Sequence, residues 1–402
     1  VNLQARPRSE TTSIKPNYFP YRLERLQGLL TYRDGHVTLE HFRGEHGNTR
    51  VSSEGQCDFF PDGSWRLTLD ALDVERLSVD RELSSVLPGR LRKAISEINP
   101  SGPIHLHGTF VLGQSGRPGD PLATQWNLLV GFQQASVDFG LRLDNLNGDV
   151  RLVGQCDGDR FSTRGELDIV SGMYKDFQVT QITGPLWIDD ERILFGNWVD
   201  RPQPGQAPPP AGETPQTPRS VSGQLFGGRL TCDGYIILSA TPRYQLRAEL
   251  AQADMARCVQ EVGAGARDLR GTVRAEVQLH GSGRTVNLLG GSVEIELSDA
   301  DIYELPVMIH ILKMLRTRRP DRTAFSNCDI DFRVEGNAIY FDRIKFSGDT
   351  ISLVGKGEMN FQSQIRLTLH GMVLRGDRDL PLLHDLLSGA SQQIMLIHVG
   401  GT

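Results

Sequence analysis

Residues 289–307, LGGSVEIELSDADIYELPV, alternate Val293, Ile295 and Leu297 with Ser292, Glu294, Glu296 and Ser298. Successive side chains of a strand point to opposite faces, so this segment has one dry face and one wet face. The same period returns along the chain. Trp65, Leu67 and Leu69 alternate with Arg66, Thr68 and Asp70; Val273, Ala275, Val277 and Leu279 with Arg274, Glu276, Gln278 and His280; Ile330, Phe332 and Val334 with Asp329, Asp331, Arg333 and Glu335. Each reads as a half-buried strand of antiparallel sheet. Such a chain must cover its dry face, and three covers are open to it: a second sheet, helices, or apolar molecules from outside.

The strands recur in a fixed context. DGHVTLEHFRGEHGNTRVSSEGQCDFFPDGSWRLTL begins at Asp34, and EGNAIYFDRIKFSGDTISLVGKGEMNFQSQIRLTL begins at Glu335 on the same plan. Each runs acid–Gly, strand, Gly turn, strand, a further Gly (Gly55, Gly357) and a last strand ending in R-L-T-L. GGRLTCDGYIILSATPRYQLRAEL, from Gly227, is a third copy with Gly234 ahead of its last strand. Repetition of this kind marks an architecture built from one supersecondary unit. The 43 glycines among 402 residues suit a turn-rich β chain, because tight reversals need residues that tolerate positive φ.

A helix follows each copy. Leu83, Leu87, Leu91, Ala94, Ile95 and Ile98 have helical spacing within 81–98. Shorter helices are expected near 253–262, 306–316 and 379–388, and the first two helices lead into the Gly-led strands NPSGPIHLHGTFVL and DLRGTVRAEVQLHG. The unit is therefore several hairpin strands, one helix, then more strands. Residues 201–220 hold seven prolines, which rules out a paired strand there. The organisation reads as a first β repeat over 1–112, a second strand group over 113–200, a Pro-rich loop over 201–220 and a C-terminal region over 221–402. The chain starts at Val1 without a signal peptide and stops just after QQIMLIHVGGT, a strand cut short, so it reads as a fragment or processed product.

Catalytic chemistry is sparse. There is no G-x-S-x-G elbow, Walker loop, H-E-x-x-H helix or dinucleotide fingerprint, and HGSGRT at Gly281 and Gly283 joins two strands and opens no helix. His105 and His107 share one strand face and could co-ligate a metal, but no third ligand is placed near them, so a solvent-facing pair is expected. His36, His41 and His46 recur every five residues, which alternates faces on a strand. Glu294 and Glu296 read as a solvated outer face. The five cysteines, Cys57, Cys156, Cys232, Cys258 and Cys328, form no C-x-x-C pair and read as buried structural thiols; four of them precede Asp. The net charge of −6 argues against a nucleic-acid partner. No run of 18 apolar residues is present. One basic run stands out: Lys313, Arg316, Arg318, Arg319 and Arg322 follow the apolar positions Met308, Ile311, Leu312 and Leu315, where anionic headgroups could meet them. A solvated helix end is the other reading of that run.

The C-terminal half carries a recognisable pattern. Gly291, Val293, Ile295, Ala300 and Ile302 lead into an apolar helix, and Gly336, Phe341, Ile344, Phe346, Gly348, Leu353, Gly355 and Gly357 form the ladder after it. This resembles the C-terminal region of AsmA-like proteins over about 269–402, and more loosely the copies from Leu26. The resemblance implies a mainly β fold: an elongated, bent antiparallel sheet forming a taco-shaped groove from repeated strand units, with a few short helices. It also implies a bridge-type lipid carrier of the bacterial envelope, in the periplasm and held at the inner membrane by a segment outside this chain.

Together these readings give a non-enzymatic protein that binds phospholipid acyl chains in a β-groove and supports lipid transport and outer-membrane biogenesis, with no cofactor or metal. The lining is expected at Val293, Ile295, Leu297, Phe332, Val334, Leu353, Leu367 and Leu369, and headgroup contacts at Lys313, Arg316, Arg318, Arg319 and Arg322. The partners are phospholipids, the membrane and envelope proteins. The alternative is a scaffold that assists outer-membrane protein assembly through its sheet edges or its Pro-rich loop.

Overall fold

The computed structural model describes residues 2–7, 11–16, 20–87, 89–117, 119–138, 142–158, 160–200, 218–239, 241–262, 269–283, 285–302, 325–348, 351–362, 364–373 and 395–401. The fold is mainly β, antiparallel, with three short helices among the described residues. The chain divides into two compact units, Val1–Val221 and Ser222–Thr402. The boundary lies at the end of the Pro-rich segment, of which 201–217 fall outside the described residues.

The first unit is a meander in which each strand pairs with the next. Its strands are β1 (Asn2–Ala5), β2 (Glu24–Arg33), β3 (His36–His46), β4 (Thr49–Phe59), β5 (Trp65–Leu77), β6 (Ile104–Gln114), β7 (Ala123–Asp138), β8 (Arg142–Cys156), β9 (Phe161–Tyr174), β10 (Phe177–Asp189) and β11 (Arg192–Phe195). β12 (Val221–Leu225) lies at the boundary. The second unit continues as β13 (Gly228–Ile237), β14 (Arg243–Asp254), β15 (Thr272–Ser282), β16 (Gly290–Ser298), β17 (Asn327–Glu335), β18 (Ala338–Ser347), β19 (Ile351–Asn360), β20 (Ile365–Val373) and β21 (Met395–Gly401), again paired in chain order.

The expected helix over 81–98 is two helices, α1 (Arg81–Val86) and α2 (Gly89–Ile98). Asp80 caps the first by accepting from the Leu83 N–H at 2.7 Å. The break has a plain cause: Leu87 precedes Pro88 and takes an extended backbone (φ −71°, ψ 144°), as residues before proline do. The helix expected near 253–262 begins two residues later, as α3 (Met255–Val262), because Ala253 and Asp254 still belong to β14. Asp254 caps it, accepting from the Ala256 N–H at 2.8 Å. The helices expected near 306–316 and 379–388 lie outside the described residues.

The strands after these helices are Gly-led for a steric reason. Gly102 and Gly271 have φ of +96° and +136°. A Cβ on either would stand 3.0 Å from the Ala135 Cα or 2.7 Å from the Ala300 Cα. Both alanines are buried, and both follow a polar residue in the left-handed region, Gln134 and Asp299. The same Gly–Ala seat thus returns in both units, which is the repeat made physical.

Gly55 and Gly357, matched by sequence, also share a role. Each adjoins a bulge that sets two residues against one, at Glu40–His41 opposite Glu54 and at Asp342–Arg343 opposite Lys356. Such bulges bend a strand and add twist. A Cβ on Gly55 or Gly357 would lie 2.1 Å from the carbonyl oxygen of Thr68 or Arg366 on the next strand. Gly357→Ala is therefore expected to cost roughly 2–3 kcal/mol by overpacking against backbone. Urea unfolding followed by circular dichroism checks this; a change within experimental error would show that the ladder can move aside.

Candidate functional site

Directly paired residues share a face, so the register sorts the second unit into two surfaces. One row runs Leu230, Leu250, Ala275, Ile295, Ile330, Ile344, Gly355, Leu369 across β13 to β20. The next runs Cys232, Ala248, Val277, Val293, Phe332, Phe341, Gly357, Leu367, and a third runs Gly234, Leu246, Leu279, Gly291, Val334, Ile339, Met359, Ile365. No charged residue interrupts any of the three. All eight residues expected as lining lie on this face, with Leu297 opposite Cys328 and Leu353 opposite Phe346.

The cover over this face is uneven. Along one rim α3 contributes Met255 and Val259, which pack with Leu269, Ala300, Ile302, Phe325, Cys328, Ile344, Phe346, Leu353, Leu367 and Leu369 into a buried cluster. Leu353 and Leu369 are 0% exposed, so protein already covers them. Val293 and Val334 are buried among their neighbours. Leu297, Ile330 and Phe341 are half-buried and pack against this cluster, while Leu246, Val277, Leu279, Ile295 and Phe332 are half-buried outside it. No strand of a second layer joins the cluster among the described residues. Among the described residues the accessible dry surface therefore runs over β14 to β17 and includes Leu246, Val277 and Leu279, which the same alternation identifies.

The first unit repeats this arrangement. Its rows include Gly44, Val51, Val74, Leu106, Val130, Val150, Leu167, Gly184 and Leu39, Gly55, Leu69, Phe110, Trp126, Gly154, Thr163, Ile188. The one polar member, Thr163, is buried and accepts from the Trp126 Nε1–H at 3.2 Å, which satisfies the indole on an apolar surface. Leu146, Val150 and Ile169 form a cluster joined only by residues of β7 to β10, so this face too is packed by its own ladder neighbours.

The opposite face is ionic. In the second unit Arg247 meets Glu276 at 2.8 Å, Arg274 meets Glu249 at 3.1 Å, Arg343 meets Asp331 at 2.7 Å and Arg366 meets Glu358 at 3.3 Å. Exposed pairs of this kind are worth about 0–1 kcal/mol each, so they mark a wet surface more than they stabilise it. Glu294 and Glu296 are exposed on it. The Cys-Asp pattern now has its cause. Cys57, Cys156, Cys232 and Cys328 pair with the dry-face residues Leu67, Thr124, Ala248 and Leu297, so within their strands Asp58, Asp233 and Asp329 fall on the opposite face, where Asp233 is buried. Burial pushes the Cys232 and Cys328 thiols up to about 12 and that of Cys258 up to about 11, which keeps them protonated and unreactive at neutral pH.

The histidines do not converge. His36 meets Asp58 at 2.5 Å, His41 meets Glu54 at 3.0 Å, and His46 lies 3.6 Å from Glu82. His105 is half-buried and His107 exposed. Among the described residues no three His, Cys, Asp or Glu side chains are placed to hold a metal ion, and no helix is long and apolar enough to cross a membrane. Lys313, Arg316, Arg318, Arg319 and Arg322 lie outside the described residues. The segments flanking them end in Ile302 and Phe325, both fully buried in the cluster under α3. No family model matches the chain, and neither a curated protein nor a solved structure matches it.

Proposed function

We propose that this chain is a non-enzymatic lipid-binding protein whose dry sheet face takes acyl chains. One observation carries the reading: three uninterrupted apolar rows cross eight strands, and among the described residues no second layer of strands packs over them. Burying apolar surface is worth about 25 cal/mol per Å², so a contiguous uncovered face of this extent attracts apolar partners. Acyl chains suit it because they need area and no residue-specific hydrogen bonds, and the rows offer none. The resemblance to AsmA-like proteins supplies the setting, a periplasmic protein of the bacterial envelope that moves phospholipid toward the outer membrane.

Site-specific photocrosslinking tests the reading. A benzophenone side chain at Ile295 is expected to yield lipid adducts in cells, while one at the adjacent Glu294, on the wet face, yields none. Equal labelling at both positions, or protein adducts alone at Ile295, would sink it.

A further inference from the structure

The repeat that builds both units places corresponding rows of side chains on their wet faces, aligned by the bulges at Glu40–His41 and Asp342–Arg343. In the second unit one such row runs Asp329, Lys345, Val354, His370 across β17 to β20, and Lys345 lies 3.9 Å from Asp329. The corresponding row of the first unit runs Gln27, Arg43, Ser52, Asp73 across β2 to β5. Here an amide, Gln27, takes the place of the acid beside the cation. The carboxylate stands two strands on from Arg43, beyond Ser52. Among the described residues the side chains of Arg43 and Asp73 have neither a hydrogen bond nor an ion pair.

Both side chains line a cavity of about 630 Å³. The next row over, Glu24, Glu45, Arg50, Glu75, is closed on itself: Arg25 meets Glu45 at 2.7 Å, and Arg50 lies 3.8 Å from Glu45 and 3.7 Å from Glu75. The hollow has a backbone cause. The β2–β3, β3–β4 and β4–β5 ladders are each irregular beside it, between Glu24 and Gln27, Leu39 and Phe42, and Ser52 and Gly55. Bulges of this kind bend their strands. The volume falls within the range of about 300–1,000 Å³ usual for small-molecule sites.

Charge and spacing define the occupant. In the lining Arg25, Arg43 and Arg50 are balanced by Glu45, Asp73 and Glu75, which favours neither a simple anion nor a simple cation. The two unengaged groups carry opposite signs, and together they complement a zwitterion. A guanidinium fork fits phosphate oxygens bidentately, and a carboxylate accepts from an ammonium group. Neighbouring strands stand about 4.8 Å apart, so the backbones of Arg43 and Asp73 are separated by roughly 10 Å. That spacing suits a phosphate and an ammonium joined by a short chain better than two charges on one carbon.

We infer that this basin of the first unit binds a small zwitterion of the phosphoethanolamine kind, its phosphate on Arg43 and its ammonium on Asp73, with Ser52 between them. The basin lies on the face opposite the dry one, so the inference is independent of the acyl-chain reading.

Isothermal titration of the full chain with phosphoethanolamine tests it. Saturable binding is expected, weakened about tenfold or more by Arg43→Gln and by Asp73→Asn, each of which removes a charged hydrogen-bonding partner. Lys345→Gln, in the second unit, is expected to leave it unchanged. Arg43 is exposed and Asp73 half-buried, so both variants are expected to fold, as matched thermal melts would show. Inorganic phosphate and ethanolamine, each alone, are expected to bind about tenfold more weakly than the zwitterion. Vesicles containing phosphatidylethanolamine separate the two sources of this chemistry. Flotation that is lost in both variants assigns the zwitterion to a lipid headgroup; free binding without such flotation assigns it to a soluble molecule. Inorganic phosphate binding as tightly as phosphoethanolamine would reduce the basin to an anion site and overturn the inference. Binding that survives both substitutions, or no binding of either form, would overturn it as well.

Discussion

Truncating Leu369 to Ala is expected to destabilise the second unit by about 3–5 kcal/mol, while Ile295→Ala costs only about 1–2 kcal/mol. The two residues sit in the same cross-strand row of apolar side chains, so alternation alone assigns them equal weight. Their covers differ. Leu369 is fully buried in the cluster that α3, Ile302 and Phe325 help to build, and its removal leaves a cavity among protein atoms. Ile295 is half-buried, with no second layer over it among the described residues, and a shortened side chain there leaves a space that ligand or water can fill. Urea unfolding of both variants checks the contrast. Equal losses would place Ile295 in a protein-built core and remove the basis for a ligand face.

The second large effect concerns occupancy. Ile295→Asp combined with Phe332→Asp puts two carboxylates on the accessible middle of the face, where an acyl chain would have to desolvate them. Burying an unpaired charge costs far more than a lost methylene contact, so bound lipid is expected to fall to background. Because both parent side chains are half-buried, the variant keeps access to water in the lipid-free state and is expected to fold, as far-ultraviolet circular dichroism would show. Ile295→Gln gives the milder version. Charging Leu367 instead would report on folding, because Leu367 belongs to the buried cluster. Retained lipid in the folded double variant would place the binding surface elsewhere.

Much of the fold is legible in the sequence because two of its rules are local. A period of two assigns faces, and it places all eight expected lining residues on one surface. The Cys-Asp dipeptides are a product of the same rule. Proline position predicts the break after Leu87, although helical spacing through Leu91 and Ala94 masks it when read alone. Three features leave no such mark. The left-handed residues at bulges, among them Arg25, His41, Gln134, Asn145 and Gln252, are polar side chains of several types that no motif unites. The division between Leu369, sealed, and Ile295, open, depends on where α3 lands, a long-range consequence of strand order. Phe59 and Phe361, both exposed, look in sequence like ends of strands, and only pairing shows that Phe59 closes a ladder while Phe361 lies past one.

The central claim is that acyl chains cover what the protein leaves uncovered. Native mass spectrometry with lipid extraction, on protein purified from membranes in mild detergent, measures this most directly. The account predicts several phospholipid molecules per chain, lost in the Ile295→Asp/Phe332→Asp variant. A lipid-free chain that is monomeric and stably folded would contradict it, because the dry face would then need no cover from outside.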